Sequence, residues 1–227
     1  MSSVLEPSWN ARRPAAARGL RAATVLLLAS LAACSSSGSA PLTFDLTAPE
    51  TRVRGGVIGQ VLVAEPVAVQ ALSDQRILVK ERGGAVSALG EGQWADSLPR
   101  LVQTRLIQTL ENTAGIRSVA RSNSGIAGDV QLATEIRSFQ VEVPSNEAVV
   151  EISAKVVSDR AGRVVTGRVF RASVPVAQVN AAAVAPALDQ ALSIVLVDMA
   201  RWIGGASARV AASDAATNPP VSTAAVQ

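Results

Sequence analysis

The sequence predicts one α+β domain, in which a mostly antiparallel β-sheet carries two main α-helices on one face. Short runs of alternating apolar and polar residues, separated by glycine and proline, indicate strands. Two longer segments repeat apolar residues at spacings of three and four, which indicates amphipathic helices. The predicted order is strands, helix, three strands, helix. We expect the domain to cover residues 42–205, which is long enough for a hydrophobic core.

The segment before this domain is typical of a bacterial export signal. Four basic residues come first, at Arg12, Arg13, Arg18 and Arg21. The apolar run behind them has about 9–12 residues, which is too short to span a bilayer core of roughly 30 Å. Leu31-Ala32-Ala33-Cys34 ends the run and resembles the lipobox of bacterial lipoproteins. The sequence thus predicts a signal peptide at 1–33, an acylated Cys34 and a flexible tether at 34–41.

Acylation of Cys34 would determine how the protein is held. A thioether-linked diglyceride and an amide-linked chain such as palmitate give three acyl chains, more than stable attachment requires. Ser35, rather than aspartate, follows the cysteine, which resembles the outer-membrane address of many Gram-negative lipoproteins. The alternatives are anchoring in the inner membrane, secretion with a stray cysteine, or a membrane anchor that is never cleaved.

Composition excludes several functional classes. Four of the 21 Lys and Arg and one of the 18 Asp and Glu precede Cys34, which leaves 17 of each sign in the mature chain. This neutral chain lacks the basic block that attracts nucleic acid. Cys34 is the only cysteine and there is no histidine, so thiolate and imidazole metal sites and His-based catalytic triads are excluded. The sequence predicts no catalytic site, no metal and no cofactor.

The first strands precede a helix. Leu42–Leu46 alternates in polarity, and 57–65 is a more continuous apolar run that Pro66 ends, as expected of a strand buried on both faces. Residues 76–80 and 85–89 flank Arg82-Gly83-Gly84, which predicts a hairpin.

The first helix is expected to begin after Asp96 or Ser97, either of which can cap it, with Pro99 in its first turn. Its apolar face would comprise Leu98, Leu101, Val102, Leu106, Ile107 and Leu110. Gly115 is expected to end it.

Three strands are predicted next. In the run from Val130, the apolar positions change parity after Ser138, which indicates a bulge or the end of pairing. Residues 150–156 and 164–174 form a predicted antiparallel hairpin around a turn at 158–162. Arg168 interrupts the apolar face of that hairpin. Its side chain either contacts a lipid phosphate or, as we favour, forms an ion pair at the sheet margin.

The second helix is expected from about Asn180 to Ile203, with Gly204-Gly205 ending it. Its apolar stripe comprises Val184, Leu188, Ala191, Leu192, Val195, Met199 and Trp202. We assign this stripe to core packing, with an oligomer seam or a lipid groove as the alternatives. The Ala/Ser/Thr/Pro-rich tail at 206–227 has no periodicity and is predicted to be disordered.

Several motifs together resemble a known family. They are Phe44-Asp45-Leu46, the run from Val61 to Val67, the run from Leu72 to Val79, and Gln93-Trp94-Ala95-Asp96-Ser97-Leu98. Their order, downstream of the lipobox, resembles the auxiliary lipoproteins of ABC-type lipid transport systems, which accompany MCE-domain transporters. The aromatic residue near the mature start is often tyrosine in that family and is Phe44 here.

The resemblance implies a non-catalytic part of an envelope machine. The expected partners are an MCE-domain protein with its ABC permease and ATPase, and the membrane itself through Cys34. The protein would lie at the periplasmic face of the outer membrane and help to move phospholipid or another hydrophobic molecule. A homo-oligomer would suit an MCE partner. The alternatives are an outer-membrane assembly factor, a module that binds cell-wall polymers and, least favoured, a carboxylate-dependent hydrolase.

Three residues are candidates for contact with a partner. Trp94 could anchor an interface, because tryptophan is enriched in interface hot spots, but a tryptophan just before a helix more often packs beneath that helix. Asp74 and Arg76 could bind a partner, although a local ion pair beside a strand is the simpler interpretation.

Overall fold

The computed structural model describes residues 40–49 and 54–217. Within these ranges, nine strands form one sheet that carries two main helices, which confirms the predicted fold class. The strands are β1 (Leu42–Phe44), β2 (Arg54–Val63), β3 (Val67–Ala68), β4 (Arg76–Lys80), β5 (Val86–Trp94), β6 (Ala114–Arg121), β7 (Val130–Glu142), β8 (Glu147–Ser158) and β9 (Arg163–Pro175). The helices are α1 (Leu98–Glu111) and α2 (Ala181–Thr217).

Strand β7 is the centre of the sheet. Along one edge it pairs with β8 over its whole length, antiparallel. Along the other edge it pairs with β2, β3 and β4 in turn, and all three run parallel to it. Pro66 lies between β2 and β3, where a residue without a backbone N–H cannot donate to the ladder.

The long antiparallel ladders agree with the sequence prediction. β8 and β9 form the expected hairpin, and its buried face carries Ile152, opposite Phe170. The register of β7 against β8 shifts between Ile136 and Ser138, so the change of parity is a bulge. β4 and β5 also form the predicted hairpin around Arg82–Gly84.

Both helices contribute to one core. Leu98, Leu106 and Leu110 of α1 are buried in the same cluster as Leu188 and Leu192 of α2. That cluster also contains the inward-facing residues of the central strands, such as Val61, Leu132, Ile136, Val150 and Ile152. Two helices on one face of the sheet therefore bury one continuous apolar layer.

The sequence prediction missed β6. This strand follows α1 and runs parallel to β2, with Val119 opposite Val61. Its sequence, Ala-Gly-Ile-Arg-Ser-Val-Ala-Arg, has only two β-branched or bulky apolar positions and no clean alternation. The strand forms because β2 offers it an open edge, which is a tertiary cause.

The boundaries of both helices differ from expectation. α1 begins at Leu98 with Pro99 in its first turn, as predicted, but ends at Glu111 with Asn112 as its C-cap, and Gly115 lies in β6. α2 does not end at Gly204-Gly205 but continues to Thr217, so the predicted disordered tail begins with helix. Ile203 and Ala206 are buried on either side of the glycines, and this packing offsets their low helix propensity. Residues 218–227 lie outside the described ranges.

Candidate functional site

The N-terminal end of the domain is the described part nearest in sequence to the predicted lipidation site. Cys34 lies outside the described residues, so its acylation stays a prediction. The chain enters the fold through β1, which lies at an edge of the sheet and runs parallel to β5, with Leu42 opposite Gly92. An anchor upstream of β1 would therefore attach to the domain at this edge.

The segment after β1 is fastened to both helices. The Asp45 carboxylate lies 2.6 Å from an Arg105 Nη2 on α1. The Leu46 side chain is fully buried. Thr47 donates two hydrogen bonds of 2.7 Å, from its N–H and its hydroxyl, to the Asp189 carboxylate on α2. These contacts join the part of the chain that follows the tether to the helix layer.

Asp74 and Arg76 form a local ion pair, as the simpler interpretation expected. The Arg76 Nε lies 2.6 Å from an Asp74 oxygen, and the Arg76 backbone N–H donates to the other oxygen at 2.9 Å. Both side chains are exposed, at 54% for Arg76 and 40% for Asp74. The Asp74 carbonyl also accepts a hydrogen bond from Leu98 N–H at the start of α1. This turn therefore presents a fixed pair of opposite charges to solvent.

Trp94 is not a surface residue. Its side chain is 1% exposed and meets the Phe139 ring edge to face, with 5.6 Å between centroids. This position is inconsistent with Trp94 as an interface anchor and corresponds to the alternative, in which the indole packs beneath α1. The tryptophan is a core residue that joins β5 to β7.

Arg168 contacts an aromatic ring, where an ion pair at the sheet margin was expected. Its guanidinium lies 5.1 Å from the centre of the Phe170 ring, and among the described residues no carboxylate is within ion-pair distance. Phe170 in turn meets Trp202 of α2 edge to face. Arg168 therefore covers an aromatic contact between β9 and α2, and the expected margin ion pair is wrong.

The apolar stripe of α2 packs in the core, as expected. Val184, Leu188, Leu192 and Met199 are fully buried. The segment Ala181–Ala206 of α2 is long enough and apolar enough to cross a bilayer. Half of its most apolar stretch is buried inside the fold. The contacts of this helix with the sheet account for its apolar character.

Two polar positions matter here that the sequence reasoning did not identify. Asp189 receives the two hydrogen bonds from Thr47. Asp129 accepts a hydrogen bond of 2.8 Å from Gln60 N–H and forms an ion pair with Arg160. The Asp129 carboxylate occupies the space that a Cβ on residue 59 would need, which explains the glycine there. The role of neither aspartate can be predicted from a local sequence pattern, because the residues that each one contacts are more than 30 positions away.

The described surface includes the following two shallow depressions. One, of about 230 Å³, lies on the sheet and is lined by Val67, Ala133, Thr134, Glu135, Ser153 and Lys155. The other, of about 310 Å³, lies between Pro49 and the outer side of α2. Neither brings together a set of groups that performs a recognisable reaction.

Comparison with known proteins identifies the family. The model of the ABC-type transport auxiliary lipoprotein component matches residues 43–200, from β1 into α2. The chain belongs to this auxiliary lipoprotein family. The matched domain, residues 43–200, is thus of the kind described as an ABC-type transport auxiliary lipoprotein component.

One protein sequence and two solved structures are also similar to this chain. The uncharacterized protein bll6063 of Bradyrhizobium diazoefficiens is 31% identical over 173 residues, which are 74% of this chain. The chain spans about half the length of that relative (47%). The crystal structure of protein XCC0632 from Xanthomonas campestris aligns with a TM-score of 0.66 at 25% identity and covers 77% of this chain and 99% of its own. A second crystal structure, of an uncharacterized protein, aligns at 0.59 with 13% identity, over 73% of this chain and 99% of its own.

The family match also bears on the sequence analysis. It begins at Thr43, one residue into β1, and therefore leaves the lipobox-like segment outside the matched domain. It ends at Ala200, just before Gly204-Gly205, so residues 201–217 of α2 lie outside the matched region. The matched domain and the predicted lipidation site are separate parts of the sequence.

Proposed function

We propose that the protein is a non-catalytic auxiliary lipoprotein of an MCE/ABC-type system that moves phospholipid or another hydrophobic molecule across the Gram-negative envelope. The observation that carries the proposal is the family match over residues 43–200, directly downstream of a lipobox-like segment. The domain would be held at the periplasmic face of the outer membrane through Cys34. Its part in transport would be anchorage and docking.

The partners in this proposal are an MCE-domain protein and its ABC permease and ATPase. A homo-oligomer would allow several copies to surround one MCE assembly. Among the described strands, β9 pairs only with β8, which makes it an outer strand of the sheet, and outer strands are where a second chain adds by strand pairing. Mass photometry of the detergent-solubilised protein would report the number of copies.

Asp74 and Arg76 are the proposed contact residues for the partner. An exposed ion pair contributes only about 0–1 kcal/mol to folding, so replacing it should leave the fold intact. Arg76→Ala should therefore reduce recovery of the MCE partner without lowering the unfolding midpoint. Arg201→Ala is the matched control, because Arg201 is also exposed and also paired with a nearby aspartate, Asp198. If both variants recover equal amounts of the MCE partner, the turn that carries Asp74 and Arg76 is not part of the interface.

The proposal as a whole is tested by copurification. The full-length protein, tagged after Gln227, is extracted in mild detergent beside a Cys34→Ala variant, and the recovered proteins are identified by mass spectrometry. Recovery of an MCE protein with ABC components by the lipidated form supports the proposal. Recovery of a β-barrel assembly protein or a cell-wall protein in their place would favour the alternative envelope functions and contradict the transport role.

A further inference from the structure

The direction in which the chain enters the fold defines one end of the domain. β1 runs parallel to β5, so the residues before Leu42 arrive from the end of the sheet where β5 begins, at Val86. That end also carries the tip of the β4–β5 hairpin, because Lys80 of β4 pairs with Val86. The end of β7 lies beside it, where Lys80 is opposite Glu142. We call this region the entry end.

The hairpin tip is the most exposed part of the entry end. Every residue from Glu81 to Ala88 is exposed, and Val86 is 49% exposed. Leu42, where the chain enters, is 59% exposed and pairs with Gly92, six residues along β5 from Val86. The residues from Glu81 to Ala85 lie beyond Lys80, the last residue of β4. The tip therefore extends past the end of β4 with the Val86 side chain in solvent.

The sequence limits how far an anchor can be from this end. Leu42 follows Cys34 by eight residues, which reach at most about 28 Å when fully extended. As a flexible Ser/Gly-rich chain they would span about 16 Å on average. A lipid at Cys34 would consequently keep the entry end close to the bilayer. The tip would then encounter lipid at a high effective concentration, even if its own affinity is low.

We propose that the tip of the β4–β5 hairpin rests on the lipid surface and orients the domain. This proposal depends on the Cys34 anchor of the proposed function but not on any transport partner. Glu81 and Arg82 are adjacent and cancel in charge, so contact is made by apolar side chains such as Val86 and does not require anionic lipid. The occupant of this surface is the bilayer that holds the anchor.

The opposite end of the sheet supplies a matched control. The loop before Val130 lies where β7 begins, twelve residues before Glu142, which is about 40 Å along the strand. Ile126 in this loop is 49% exposed, the same as Val86. Two apolar positions with equal exposure thus lie at the two ends of the domain. Only one of them is on the side where the chain enters.

The experiment compares a probe at these two positions. Cys34 is the only cysteine, so the lipidated full chain has no free thiol, and Val86→Cys and Ile126→Cys can each be labelled with an environment-sensitive fluorophore. Each lipidated protein is reconstituted in phosphatidylcholine vesicles, with and without lipid that carries a doxyl quencher. Flotation on a density gradient selects the vesicle-bound protein, and circular dichroism checks that both variants are folded.

The expected result is a blue shift and loss of fluorescence at position 86 and neither change at position 126. Equal quenching at both positions, or quenching only at 126, would overturn the proposal, as would no quenching at 86 in protein that floats. Protein that fails to float would refute the anchor on which the proposal rests. If quenching appears at 86 but no MCE partner copurifies from cells, the membrane orientation stands and the transport function fails.

Discussion

At the residue scale, single side chains join parts of the chain that are distant in sequence. Gly92 allows the start of α2 to approach β5, and Asp189 receives the segment that follows the predicted tether. Asp74 and Arg76, in contrast, contact each other across one turn. The local pair can be predicted from sequence because both members lie within three residues of each other. The roles of Gly92 and Asp189 cannot be predicted in this way, because each depends on a neighbour that is distant in sequence.

Gly92 should tolerate no larger side chain. A Cβ there would overlap the Ala181 side chain and lie 3.0 Å from the Phe44 ring. We expect Gly92→Val to lower the free energy of unfolding by about 1–3 kcal/mol, the usual range for overpacking. Gly90→Val is the control, because a Cβ at Gly90 meets no atom within 4 Å. Urea unfolding of both variants measures the difference, and equal midpoints would contradict the packing described here.

Asp189 should stabilise the N-terminal segment of the domain. Asp189→Ala removes both acceptors for Thr47, so we expect a loss of about 1 kcal/mol and faster proteolysis near Thr47. Asp198→Ala is the comparison, because it lies on the same helix and loses only an exposed ion pair with Arg201. Mass spectrometry of limited digests locates the first cleavage. Cleavage at the same rate in both variants would argue against the fastening role of Asp189.

At the scale of elements, tertiary packing determined the strands and the buried positions that local sequence patterns did not predict. The parity change at Ser138 and the turn at Arg82–Gly84 are visible in sequence because a bulge and a tight turn are local events. β6 has weak strand character and forms because it completes the edge of β2. Trp94 is of a residue type that is common at interfaces, but it is buried in the core with the apolar residues of α1. There the Phe139 ring contacts it edge to face. Element type was therefore more predictable than element number or exposure.

Because α2 continues through Gly204 and Gly205, we can predict whether an alanine at position 205 raises or lowers the stability of the protein. Gly205 has no left-handed backbone angle, and a Cβ there meets no atom within 4 Å. Gly205→Ala should stabilise the protein by up to about 1 kcal/mol, because alanine favours helix over glycine by that amount. If the helix instead ended at this residue in a left-handed cap, the same change would destabilise it.

The same substitution at a second glycine, Gly125, should have the opposite effect on stability. Gly125 has φ of +72°, a conformation that an alanine side chain strains. Gly125→Ala should therefore lower the thermal unfolding midpoint, while Gly205→Ala raises it. Differential scanning fluorimetry of the two variants beside the unmodified protein measures both effects. A fall in midpoint for both would indicate that α2 ends before Thr217.

At the scale of the whole molecule, the predicted anchor and the folded domain are different parts of the sequence, and they would determine different properties of the protein. The family match begins at Thr43, after the lipobox-like segment, and the core residues all follow it. The predicted mature chain is formally neutral, so a large basic surface would not account for membrane attachment. If Cys34 is acylated as predicted, localisation would depend on that one thiol, while stability depends on the buried layer between the sheet and its helices.

Removal of the thiol should change where the protein is found but not how it folds. Cys34→Ala should move the protein from the membrane fraction to the soluble periplasmic fraction or leave it as uncleaved precursor. The unfolding midpoint of the purified domain should not change, because the described core does not include this residue. Fractionation, intact mass and thermal unfolding measure the three properties. Membrane attachment by the unlipidated mature chain would show that a second attachment exists.

The sequence by itself determined the fold class, most of the strands, the start of α1, the core stripe of α2 and the family. These follow from periodicity, capping residues and motifs, which are local in the chain and act over a few residues. Only the tertiary structure decided the burial of Trp94, the stacking of Arg168 on Phe170, the added strand β6 and the extension of α2 past Gly205. Each of these depends on a contact between distant residues, and the free energy of such contacts is comparable to or greater than local propensity.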